Sequence, residues 1–112
     1  MKPASAAAQS GEQLYIELWV SLASLLRSYT AAHGLNGNRQ ATVELGEDRI
    51  TVRHGTGRLE LQRQGSEITW LRDNGQSGQL ELTEAGRLRA ADHESEMDMV
   101  AEAWARELMN ES

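Results

Sequence analysis

The sequence predicts an α+β fold: a two-layer sandwich of an N-terminal helix, an antiparallel β-meander of about five to six strands and a C-terminal helix. Both helices are expected on one face of the sheet. Three observations lead there. Apolar residues alternate with polar ones from Ala41 to Arg89, the period of strands with one dry face. Every link between the alternating runs is short and contains glycine, which favours sequential antiparallel neighbours. The stretches on either side carry helical spacing.

Residues Met1 to Ser10 are small and polar, and a flexible tail is expected there. Residues 11–112 are expected to form one domain, a length that suits a single core. The first helix is predicted from about Glu12 to Ala32, with Leu14, Leu18, Leu22, Leu25, Leu26 and Tyr29 on one face and Ser10 as its cap. Tyr15, Ile16, Trp19 and Val20 widen that stripe. Such a helix is either buried on two sides or presents a partner surface. Gly34 is expected to stop it and Leu35 to Gln40 to connect it to the sheet.

The dry sheet face is predicted to hold Val43, Leu45, Ile50, Val52, Leu59, Leu61, Ile68, Trp70, Leu80, Leu82 and Leu88. The wet face then holds Thr42, Glu44, Thr51, Arg53, Arg58, Glu60, Thr69, Glu81, Arg87 and Arg89, with Leu71 as a lone apolar residue. The links contain Gly46, Gly55 and Gly57, Gly65, Gly75 and Gly78, and Gly86, and in each link a glycine is expected to supply the positive φ of a tight turn. The second helix is predicted from about Ser95 to Met109, capped by Asp92 or Ser95. Its apolar face is Met97, Val100, Ala101, Trp104, Ala105 and Leu108.

Composition narrows function by exclusion. The chain has 112 residues, a formal net charge of -6 and no cysteine. Thiol nucleophiles and cysteine-ligated metals are excluded. An acidic chain argues against nucleic acid, since neutralising phosphates supplies most non-specific affinity. No run approaches the roughly 20 apolar residues that span a bilayer, and a cytoplasmic protein with no membrane contact is expected. None of the common catalytic motifs occurs, such as G-x-S-x-G, a P-loop, G-x-G-x-x-G or H-E-x-x-H. No enzyme and no cofactor are therefore expected.

Two acidic groups could carry chemistry. Glu94, Asp98 and Glu102 are spaced to line one ridge of the second helix; they are either a solvated first turn or a weak oxygen-ligand cation site. Glu44, Glu47 and Asp48 lie around the end of the first strand, either as a polar hairpin tip or as an anionic patch. His33, His54 and His93 fall at a helix end, a hairpin and a loop, with no metal-ligand spacing. Arg53, Arg58, Arg87 and Arg89 on the wet face are either cross-strand ion-pair partners or a docking surface, arginine being enriched at interfaces.

The stretch from Val43 to Leu71 resembles the frataxin family. Val43-Glu44-Leu45 followed by Arg49-Ile50-Thr51-Val52 looks like that family's first two strands. Leu59 to Gln64 resembles its strand ending in Asn-Lys/Arg-Gln. Ile68-Thr69-Trp70-Leu71 is similar to its Ile/Val-Trp-Leu strand with one extra residue before the tryptophan. The resemblance implies partner docking by Gln62, Arg63, Gln64 and Trp70 on the open sheet, and weak iron binding by Glu44, Glu47 and Asp48. The chain departs from the family in Leu25 to Gly34, which holds no carboxylate where frataxins carry an acidic iron ridge. Parity also turns Trp70 inward unless a bulge shifts the register.

The expectation is therefore a small non-enzymatic protein-interaction module that engages another protein through its open sheet face or its acidic C-terminal helix. The docking residues would be Arg53, Arg58, Gln62, Arg63, Gln64, Arg87 and Arg89. The alternative is a frataxin-like, iron-binding regulator of iron–sulfur cluster assembly.

Overall fold

The computed structural model describes the backbone of residues 3–33 and 41–111 and the side chains of 12–33 and 41–110. The helix stop at Gly34 and the connector from Leu35 to Gln40 lie outside the described residues. The first helix, α1, spans Pro3–His33. The strands are β1 (Thr42–Leu45), β2 (Arg49–His54), β3 (Gly57–Gln64), β4 (Glu67–Arg72), β5 (Ser77–Leu82), β6 (Arg87–Arg89) and β7 (Glu94–Glu96). The second helix, α2, spans Met97–Glu111. The seven strands form one antiparallel sheet in sequence order, so the predicted helix–meander–helix layout holds and the strand count rises to seven.

The alternation sets the layers. Ile50, Val52, Leu59, Leu61, Ile68, Leu82 and Leu88 are buried, and their cross-strand pairs, such as Ile50 with Leu61 and Leu61 with Trp70, share one face. Both helices pack on that face and on each other. From α1 come Trp19, Leu22, Ala23 and Leu26; from α2 come Met97, Ala101, Trp104 and Leu108. Burying a side chain of this size contributes roughly 1.5–3 kcal/mol, so these residues hold the layers together. Thr30 is buried among them because its hydroxyl donates to the Leu26 carbonyl at 2.7 Å.

Two helix starts, one helix face and one turn differ from the sequence expectation. α1 begins at Pro3 rather than Glu12 and runs through Ser10, which is therefore no cap. Pro3 suits the first helical position, and the alanines behind it are the strongest helix formers. Its buried face is centred on Trp19, while Ile16 and Val20 are exposed. α2 begins at Met97, because Glu94-Ser95-Glu96 pairs with Arg87-Leu88-Arg89 as a strand. The β1–β2 link closes by the Gly46 N–H donating to the Arg49 carbonyl at 2.7 Å, with no positive φ at Gly46. Positive φ does occur at Gly55, Gly65, Gly75 and Gly86.

Candidate docking surfaces

The open sheet face satisfies most of its own charges. Arg53 lies 3.9 Å from Glu44, Arg49 is 3.3 Å from Glu60, and Arg87 reaches Glu96 at 3.1 Å and Glu94 at 3.4 Å. Arg89 donates to Glu81, and that carboxylate raises the guanidinium pKa above its ordinary value. The predicted residues Arg53, Arg58, Gln62, Gln64, Arg87 and Arg89 are all exposed on this face. Arg53 and Arg58 stand directly opposite one another across β2 and β3, a like-charge pairing that is unfavourable. Arg53 has Glu44; Arg58 has no ion-pair partner among the described residues. Leu71 is exposed between Glu60 and Ser77 in the same cross-strand row.

Arg63 is a correction. Its parity is that of Leu59 and Leu61, so it faces the helices, and its side chain is only 6% exposed. It donates to the Gly65 carbonyl at 2.9 Å and to Glu12 of α1 at 3.2 Å, with Asp48 at 3.8 Å. It anchors a helix to the sheet and does not belong to the open-face set. Arg72 repeats the arrangement on β4, where it is buried on the dry face and 3.4 Å from Glu107 of α2.

Glu47 and Asp48 border an open polar hollow of about 570 Å³ together with Gln62, Arg63, Gln64 and Thr69. Two sets that were separate in the sequence therefore meet there. The three carboxylates Glu44, Glu47 and Asp48 are not brought together as ligands: Glu44 lies beside Arg53 and Asp48 beside Arg63. Among the described residues, no three His, Asp or Glu side chains converge to hold a metal ion. Glu94, Asp98 and Glu102 do not share a helical ridge either, because Glu94 lies on β7. Glu102 instead meets His33 at 2.9 Å and joins the two helices.

The sequence reading missed a second, more apolar surface. Trp70 on β4 faces the helices as parity requires, and its ring centroid lies 6.3 Å from that of Trp104 at an interplanar angle of 57°, within the favourable range for tilted aromatic pairs. Gly78 is its cross-strand neighbour. A Cβ there would lie 2.6 Å from the indole nitrogen, so the ring lies over the bare glycine. With Ala103 also small, a groove of about 560 Å³ opens along α2. Trp70, Trp104, Met99, Val100 and Ala103 form its apolar wall, and Gln76, Ser77, Ser95 and Glu107 its polar rim. Met99 is 65% exposed. The one sequence signal was a methionine outside the predicted apolar face of α2.

The chain matches no family model, no curated protein and no solved structure. Among the described residues, no helix is long and apolar enough to cross a membrane.

Proposed function

We propose that the protein is a small non-enzymatic interaction module that receives a segment of another protein in the groove between α2 and the start of β5. One observation carries the reading: a tilted tryptophan pair and the 65% exposed Met99 line an open, mostly apolar groove. Tryptophan and methionine are enriched in interface cores, where aromatic anchors carry most of the energy. The open sheet face is the weaker surface, because a partner would first have to displace or bury its internal ion pairs. Selection of a displayed random-peptide library against the protein tests this. Selected peptides should lose binding to Ala103→Glu, which puts bulk and charge into the groove, and keep it with Arg58→Glu. Binding that follows Arg58→Glu and ignores Ala103→Glu would return docking to the open face.

A further inference from the structure

We infer that the groove takes a cationic side chain, so that the partner is a basic peptide segment presenting lysine or arginine to the half-buried Trp70, beside the buried Trp104; this rests on the proposed docking groove. Three features converge. The first is the tryptophan pair, since an ammonium or guanidinium within about 6 Å of an indole centroid is drawn to the negative face of the ring.

The second is Glu107 on the groove rim. Its side chain is 55% exposed, and Arg72 engages only Oε1, at 3.4 Å. Glu107 lines the groove, and its Oε2 makes no hydrogen bond among the described residues. Arg72 is the positive group nearest to Glu107, but its side chain is 1% exposed, which keeps it from acting as the groove's own ligand.

The third is the charge of the surroundings. β7 and α2 carry Glu94, Glu96, Asp98, Glu102 and Glu107 against Arg106 as their only basic residue up to Glu107, in a chain of net charge -6. Arg87 offsets Glu94 and Glu96 across the strand pair. Glu102 meets His33 and Arg106, and Glu107 shares Oε1 with Arg72; Asp98 is exposed on the opposite flank of α2 with no ion-pair partner among the described residues. An acidic field of this kind steers basic segments toward the surface. The apolar stem of a lysine or arginine fits Met99, Val100 and Ala103, while its charged end reaches the indole and Glu107.

The test is an NMR titration that follows the three indole N–H signals. The probes are n-butylammonium, which reproduces a lysine side chain, and n-butanol, its neutral counterpart. Trp19 is 2% exposed and lies in the core, so its signal is an internal control. Saturable shifts of Trp70 and Trp104 are expected with the ammonium, at an affinity about five-fold above that of the alcohol. Trp19 should not move. Glu107→Gln should bring the two probes closer together, with the Trp19 signal reporting an intact fold. Equal affinities would overturn the cation site and leave the docking groove standing. If neither probe shifts Trp70 or Trp104, both readings fail. Parallel shifts of all three indoles would be a general salt effect and would overturn the cation site.

Discussion

Removing the guanidinium of Arg63 should loosen α1 from the sheet. The side chain is 6% exposed, and its hydrogen bonds run to the Gly65 carbonyl at 2.9 Å and Glu12 at 3.2 Å. A hydrogen bond involving a charged group contributes about 1.5–3 kcal/mol. The ion pair adds no more than about 1 kcal/mol, because Glu12 is half exposed and water screens it. Arg63→Ala should therefore cost about 2–4 kcal/mol. Arg63→Met should recover at least about half of that, since it refills the volume and removes an enclosed charge whose desolvation opposes folding. Glu12→Gln should cost about 1 kcal/mol or less. Urea unfolding at neutral pH, read from the midpoint at constant slope, measures all three. A loss below about 0.5 kcal/mol for Arg63→Ala is the behaviour of a surface substitution. It would refute the inward placement and restore Arg63 to the open face.

Two further outcomes follow from local geometry. Gly78→Ala should cost about 1–3 kcal/mol by overpacking and shift the indole signals of Trp70 and Trp104. The new Cβ would fall 2.6 Å from the Trp70 ring nitrogen, and an unchanged spectrum would show that the ring does not lie over Gly78. The His93 ring, 2.9 Å from the Asp92 carboxylate, holds that carboxyl below the usual carboxylate range through a hydrogen bond. A lowered folded-state pKa stabilises the fold above the unfolded value, and that contribution is lost as pH falls through the folded value. The Asp92 carboxyl carbon should thus titrate at lower pH than in His93→Gln; coincident curves would remove the interaction.

Much of the fold was readable because a strand's side-chain period is two, whatever its surroundings. Parity places Trp70 inward, and the same period places Arg63 and Arg72 inward, where both are buried. The resemblance to frataxins put Arg63 on the open face instead, and geometry followed parity. β7 escaped because Glu94-Ser95-Glu96 has no apolar alternation. It is a strand through complementarity, since Glu94 and Glu96 meet Arg87 across the pair. The start of α1 was legible in Pro3 and the following alanines. Ser10-Gly11 read as a boundary only because serine and glycine usually end or cap a helix.

By itself, then, the sequence determined the layers: which residues are dry, the order of strands, and the two amphipathic helices. These are local properties, set by backbone periods and turn chemistry. The candidate site was decided only in three dimensions. Trp70 and Trp104 come from a strand and a helix, and no spacing in the chain announces that they will meet. Their groove exists because the sheet places Gly78 beside Trp70 and α2 presents Ala103. That juxtaposition depends on how a helix settles on a sheet, which is a property of packing.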